Sequence, residues 1–487
     1  MQFDSDPLRT YPSEIVSGLK KTVTGRACAL YVTGGSVRDW LLGRVSRDLD
    51  CAVSSGAVAF AGDFAAETGG TLVLLDAQEG VARVVLSGFE IDFADFRQDT
   101  TCIEADLLRR DFTINSLAVR FDSERGGLAL PFEIIDPSGG IRDCRLGCIR
   151  ETQSGNLGDD PLRMLRAFRF QAELGFAIEI GTREEIERRH ALIGNCAPER
   201  IGYELDRIFR SSRPSVVIKS MAAIGLLWDL IPELGKGLQV EQPASHHLDV
   251  FHHNLKSLEW AEKIIAEPVR FFPDNAREVA AYFSSGTKRR HIRWAALLHD
   301  VAKPGSFRIR DDRITFYNHD RAGMDVVGDI ARRLRWSNEF CRKVTDLVGY
   351  HMWPFHLNNL YRKDELTPRA CLRLVKAVGA DLPGLFALAL ADSLAGQGPE
   401  KPADMEPSLR DMYREINVIF EQNIRPVLDK PRLVTGKDLI DMGYTPGPLF
   451  GEILESVEER QVTGEITSRQ QALNLAEKLF SLRADAS

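Results

Sequence analysis

The chain has 487 residues, 44% hydrophobic and 27% charged. That length predicts several domains, and that balance excludes wholesale disorder, a collagen-like repeat and a polytopic membrane protein. A formal net charge of -8 excludes a general electrostatic binder of nucleic acid, so any RNA contact must come from local basic patches. The eight cysteines are scattered, with Cys144 and Cys148 the nearest pair and no CxxC, which argues against a disulfide scaffold and for reduced thiols. The start of the chain lacks the basic region and apolar core of a signal peptide, and no uninterrupted apolar stretch is long enough to span a bilayer. A cytoplasmic protein without membrane contact is expected.

In chain order, Ala29 to Val32 reads as a strand ending in Gly34-Gly35, with further strands at Leu49 to Val53, Thr71 to Leu75, Ala82 to Leu86 and Glu90 to Phe93. Val37 to Leu42 and Val58 to Ala66 have helical character. From Asp160 onward apolar residues recur at three and four, and a short hairpin around Phe307 to Phe316 is the one strand signal. Breaks fall at Ser211 to Pro214, Gln239 to Pro243 and Gly396 to Pro407. The fold class expected is α+β: a small mixed-sheet head followed by an extended all-helical neck, body and tail. The expected domains are 1–150, 151–240, 241–396 and 397–487. Nothing in the sequence speaks to oligomeric state.

Asp48-Leu49-Asp50 on a strand puts two carboxylates on one face. Like charges side by side are costly unless a cation lies between them. Asp92, on another strand-like run, can add a third oxygen, and three carboxylates with a nucleoside triphosphate suit magnesium. A lone Asp-x-Asp is more often a turn cap or a solvated pair. Upstream, Thr33 to Asp39 places two glycines between a strand and a helix, where the backbone can approach a phosphate closely; Arg38 adds a fixed charge.

Gly34-Gly35-x-x-Arg38-Asp39, Asp48-x-Asp50 and Arg109-Arg110-Asp111-Phe112-Thr113-Ile114-Asn115, in that order, resemble the class II tRNA nucleotidyltransferase (CCA-adding) and bacterial poly(A) polymerase family, within the DNA polymerase β-like nucleotidyltransferase superfamily. The resemblance runs from about Leu30 to Phe209 and more weakly beyond. It implies that Asp48, Asp50 and Asp92 are catalytic and hold Mg2+, that Gly35 and Arg38 contact the triphosphate, and that Arg110 and Asp111 hold the sugar, with Asn115 in the same pocket.

Asp159-Asp160-Pro161 opens a helix, either aspartate being a suitable cap. Asp160 and Arg163, three apart, are neighbours on its surface; Arg166 and Arg169 continue the face, while Leu162, Leu165 and Phe168 pack. A carboxylate beside a guanidinium can read a base edge, and the family's Glu-Asp-x-x-Arg motif does so for C or A; here Asp159 replaces its Glu. Asp160, Arg163, Arg166 and Arg169 are therefore expected at the nucleotide. Arg200 and Glu204 are spaced to pair across one helical turn.

A second constellation lies downstream. His253, His299-Asp300 and Asp392 resemble the HD metal-dependent phosphohydrolase superfamily, with His319 and His351 as further matches; His246, His247 and His252 are alternatives for the first ligand. The resemblance implies a divalent metal held by His253, His299, Asp300 and Asp392, and phosphoester hydrolysis as an added activity. Arg188-Arg189, Lys288 to His291 and Arg332 to Trp336 are the basic clusters available to RNA phosphates.

The function expected is template-independent addition of C, and also of A, to the tRNA 3′ end from CTP and ATP, with pyrophosphate released. The short connection from Phe93 to Leu108 resembles the CC-adding members. Poly(A) polymerases of the family carry a basic segment where this chain has Asp76 to Val81, and a basic C-terminal tail where it has Arg483 to Asp485. A poly(A) polymerase and a non-catalytic RNA-binding protein are the alternatives.

Overall fold

The computed structural model describes residues 2–3, 6–26, 28–97, 100–128 and 132–484, so Asp485 lies outside the described residues. The chain divides into two compact units, Met1–Leu230 and Ile231–Ser487.

The first unit opens with β1 (Gln2–Phe3), which pairs with Phe132–Glu133, and α1 (Ser13–Thr24). Then follow β2 (Leu30–Thr33), α2 (Gly34–Leu41), β3 (Asp48–Val53), α3 (Ala57–Thr68), β4 (Thr71–Asp76), β5 (Val81–Leu86), β6 (Phe89–Asp95), α4 (Ile103–Leu108), β7 (Ala118–Asp122) and β8 (Gly127–Leu128). The seven-stranded sheet has the order β4-β5-β6-β3-β2-β7-β8. Only β3 and β6 run parallel within it, because α3 and the β4–β5 hairpin carry the chain across between them. Phe60 and Phe64 of α3 pack on Phe93 of β6, with ring centroids 5.2 and 5.3 Å apart.

The predicted strands are all present. Sequence periodicity missed α1, α4 and β7. The two glycines also do not precede the helix as expected; Gly34 and Gly35 form its first turn. Gly34 has φ +63°, and a Cβ there would lie 3.2 Å from both Arg110 and Asp50, so backbone conformation and space both require glycine.

Helices dominate the rest of this unit: α5 (Gly140–Leu146), α6 (Asn156–Asp159), α7 (Leu162–Leu174), α8 (Ile180–Arg189) and α9 (Pro198–Arg210), then Pro214–Ala223 and Leu226–Leu230. α7 is more enclosed than its pattern predicts. Besides Leu162, Leu165 and Phe168 it buries Met164, Ala167, Arg169 and Phe170.

The second unit is helical apart from the expected hairpin, Arg308–Arg310 with Arg313–Thr315. Its centre is Leu382–Ala395, apolar on all sides and almost wholly buried, as a helix enclosed by other helices must be. The run Pro368–Ala395, though interrupted by charged residues, is long and apolar enough to cross a membrane by length and composition, and 72% of its most apolar window is buried within the protein. The C-terminal segment builds a core of its own from Val434, Leu439, Ile453, Val457, Ile466 and Leu475.

Candidate active site and metal centre

The acidic face of the head follows from strand register. On β3, Leu49, Cys51 and Val53 point into the core, which sends Asp48 and Asp50 to the other face. Asp50 lies opposite Asp92 of β6, and Asp48 opposite Glu90. Four carboxylates thus share one surface of adjacent strands. The Gly35 N–H donates to Asp50 Oδ2 at 2.9 Å, so the glycine turn and the carboxylate meet directly. Burial and then the charge of Asp92 push the Asp50 carboxyl above its usual range; burial and Glu90 do the same to Asp48. A face that resists its own ionisation this way, with hard oxygen ligands gathered on it, fits a divalent cation.

The Arg109–Asn115 segment closes the other side. Arg110 donates twice to buried Asp106, at 3.0 and 2.9 Å, and its Nη1 borders Gly34. Asp111 accepts from Arg166 Nε and Nη2 at 2.8 and 2.6 Å, from the Phe112 N–H at 2.8 Å and from Asn115 Nδ2 at 3.2 Å. Burial opposes its charge, but Arg166 and these hydrogen bonds outweigh burial and hold the carboxyl well below the usual range. Asn115 Oδ1 accepts from Arg38 Nη1 at 2.6 Å. Asp111, Asn115, Arg38 and Arg166 therefore form one connected polar cluster beside the glycine turn.

The α7 arginines separate into different surroundings. Asp160 accepts the Leu162 N–H at 3.2 Å, capping the turn, and accepts Arg200 Nη2 at 2.8 Å. Arg163 donates to the carbonyls of Asn156 and Arg109, at 3.2 and 3.0 Å, which ties it to the start of the Arg109–Asn115 segment. Arg169 is buried, bonded to Glu204 at 2.6 Å and Glu173 at 3.1 Å, with its guanidinium over Phe170. The pairing of Arg200 with Glu204 does not form: Arg200 turns to Asp160, and Glu204, 2% exposed, turns to Arg169 and Arg166. A buried carboxylate takes the nearest buried guanidinium in preference to an exposed one. Sequence reading missed Arg83, Glu90, Asp106, Arg200 and Glu204 as parts of this site. Asp106 and Arg110 had a visible signal in their four-residue spacing.

The second unit holds the histidine cluster. His253 lies on Val250–Ala266, His299 and Asp300 follow Gly286–Leu298, His319 opens His319–Arg333, His351 follows Asn338–Tyr350 and Asp392 lies on Leu382–Ala395. His253 Nε2 is 3.0 Å from Asp392 Oδ1, 3.3 Å from His299 Nε2 and 3.6 Å from Asp300 Oδ2. Asp300 Oδ1 lies 3.2 Å from His319 Nε2 and 3.6 Å from His351 Nε2. Asp300 thus faces His253 and His299 with one oxygen and His319 and His351 with the other. His246, with His253 and Asp392, is within reach of the same centre. The Nδ1 atoms of His299, His319 and His351 point at carbonyls three residues earlier, 3.0, 2.7 and 2.6 Å away, which turns each Nε2 atom inward.

Burial opposes a charged His299, yet Asp300 and Asp392 outweigh it and push it up to about 10. Burial first, with the charge of His299 beside them, keeps His253 and His351 below the usual value. This crowd of convergent donors fits divalent metal. A cavity of about 570 Å³ opens on it, lined by Phe316, Tyr317, Phe355, Lys303 and Lys401 among others.

The basic clusters are largely committed internally. Arg188 and Arg189 pair with Glu185, Lys288 with Asp381, Arg332 with Asp329 and Arg333 with Glu233.

The family model of the poly A polymerase head domain matches residues 30–150, that of the RNA- and SrmB-binding region of polymerase A matches 175–238, and that of the HD domain matches 250–395. An A-adding tRNA nucleotidyltransferase of Deinococcus radiodurans is 32% identical over 91% of this chain and 93% of its own length. A CC-adding tRNA nucleotidyltransferase of Thermus thermophilus is 29% identical over 91% of this chain and 92% of its own. A solved CCA-adding enzyme in complex with CTP shares the fold, with a TM-score of 0.64, 22% identity and coverage of 99% of this chain and 100% of that one. The nucleotidyltransferase head and the HD domain imply dependence on divalent metal. The chain belongs to the tRNA nucleotidyltransferase family.

Proposed function

We propose that this protein adds C to the 3′ end of tRNA from CTP without a template, releasing pyrophosphate. The observation that carries the reading is the Gly35 N–H bonded to Asp50, with Asp50 in register with Asp92: a phosphate-binding turn and an acidic face joined at one atom. Asp48, Asp50 and Asp92 hold Mg2+, which when bound neutralises charge developing on the phosphates. Gly35 and Arg38 receive the triphosphate. Arg110, Asp111 and Asn115 form the sugar pocket, with Asp111 holding Asn115 and the Arg109–Asn115 segment in place. Asp160 and Arg163 offer an acceptor and donors to a base edge, with Arg166 and Arg169 holding the frame behind them. Residues 1–150 form the head, 151–240 the neck, 241–396 the HD-like body and 397–487 the tail.

The relatives divide between A-adding and CC-adding enzymes. Only seven residues, 96 to 102, separate β6 from α4, and this short connection favours CC addition. Supplying tRNA that ends before CCA with each nucleotide in turn, then sequencing the products, tests both levels. Products ending in CC are expected; long A tails on tRNA and on unstructured RNA alike would restore the poly(A) polymerase alternative.

A second activity is favoured by one observation, the cluster of His253, His299, Asp300, His319, His351 and Asp392, of which Asp300, His319 and Asp392 line a cavity. We read it as a phosphoester hydrolase centre holding divalent metal. Release of phosphate from a small phosphoester, lost in His299→Ala while tRNA extension persists, is the expected result.

A further inference from the structure

The acidic face of the head carries a cation of its own. Arg83 on β5 lies directly opposite Asp92 in the antiparallel pairing with β6, so their side chains share the face on which Asp50 and Asp48 stand. Its Nε and Nη2 reach Asp92 Oδ1 and Oδ2, at 2.7 and 2.9 Å, a fork-on-fork contact that uses one lone pair on each oxygen. Its Nη1 holds Glu90, the residue opposite Asp48. One guanidinium thus links Glu90 and Asp92 of β6. Such a contact fixes the rotation of Asp92 about its side-chain bonds and leaves a lone pair on each oxygen for another ligand. Lysine would supply the same charge without the planar fork.

We infer that Arg83 is a positioning residue of the transferase reaction: it orients Asp92 towards the metal-binding face and tempers the charge of that face. The inference rests on Asp48, Asp50 and Asp92 being the ligands. Two separable effects follow. Charge sets how tightly the face attracts a divalent ion, and orientation sets how well the third carboxylate serves the reaction.

The test uses the full chain with Arg83→Gln, Arg83→Lys and Asp92→Asn. Thermal unfolding is followed in EDTA and across a Mg2+ titration, and kcat and KM for CTP are measured on tRNA lacking CCA. Arg83→Gln is expected to melt lower in EDTA, to gain more from Mg2+ than the wild type, and to reach half-saturation at severalfold less Mg2+. Its kcat falls on the order of a hundredfold through misplacement of Asp92, with KM for CTP unchanged. Arg83→Lys keeps the wild-type Mg2+ response and still loses kcat. A wild-type Mg2+ response and kcat in Arg83→Gln, alongside an altered response in Asp92→Asn, overturns the positioning role alone. An unaltered Mg2+ response in Asp92→Asn overturns the ligand assignment and the inference with it. A lowered melting temperature in both Arg83 variants that Mg2+ does not restore shows a merely structural arginine.

Discussion

Arg166 sets both Nε and Nη2 on Asp111 Oδ2, at 2.8 and 2.6 Å, and so bolts α7 to the Arg109–Asn115 segment. The second oxygen of Asp111 is filled by Phe112 and Asn115. One buried carboxylate therefore orders the sugar pocket and anchors the helix proposed to read the base. Truncating one partner of a buried pair strands the other charge.

Arg166→Ala should accordingly destabilise the protein by about 2 kcal/mol, less than a fully buried pair would lose because Arg166 is a third exposed. The pH dependence has a definite sign. The Asp111 carboxyl is depressed in the fold, so its stabilisation is complete above the unfolded value near about 4 and disappears as pH falls through the folded one. Urea unfolding at pH 7, 5 and 3.5 should show the gap between wild type and variant narrowing at the acid end. A gap independent of pH would mean that the pair carries no linkage.

Where sequence patterns met single-element physics, they were legible. Alternation on β3 placed Asp48 and Asp50 on one face, and the histidine and aspartate order along the body anticipated a cluster that the fold closes. Pairings decided by burial across elements were not legible. Glu204 sits four residues from Arg200, yet it is enclosed against Arg169, a choice that depends on how α9 packs on α7. Arg83 gave no signal because its meaning comes from strand register, and β5 had to be threaded beside β6 before Asp92 could be its neighbour.

Base selection should respond to Arg163 and Arg200 in different degrees. Arg163→Ala removes donors at the proposed base edge, and discrimination of CTP over UTP should fall by about one to two orders of magnitude, as when a hydrogen-bonding site loses its partner. Arg200 donates to Asp160, so Arg200→Ala frees that carboxylate without deleting it. A smaller loss of discrimination is expected, with kcat/KM for each nucleotide as the measurement. Equal discrimination in the wild type and Arg163→Ala would remove Arg163 from the pocket.

Asp50→Asn separates stability from activity. The raised Asp50 carboxyl means that the fold binds this proton more tightly than the unfolded chain, so stability drops as pH rises from the unfolded value through the folded one. Above the folded value that penalty is fully present, and the amide removes it while its oxygen still accepts from Gly35. In EDTA the variant should melt at or above the wild-type temperature, with nucleotide incorporation reduced by at least about a hundredfold. A variant that melts lower would show that the carboxylate stabilises the head through contacts with Arg38 and Arg110.

The histidine centre invites a count of ions. Asp300 is shared between a group with His253 and His299 and a group with His319 and His351, each with ligand atoms close enough for one cation. Bridging by a single carboxylate predicts two ions per chain, one per oxygen. Elemental analysis after dialysis against Mn2+, with the ions lost in Asp50→Asn subtracted as those of the acidic face, should give about two in the wild type, one in His319→Ala and none in Asp300→Asn, because that substitution weakens both groups together. Bound metal stabilises by mass action, about 2.7 kcal/mol at a hundredfold excess over the dissociation constant, so the melting temperature should climb with Mn2+ in the same order. These ligands all lie within Ile231–Ser487, whereas the acidic face lies within Met1–Leu230, so tRNA extension should persist in each variant. One ion in both the wild type and His319→Ala would reduce the centre to the group formed with His253 and His299.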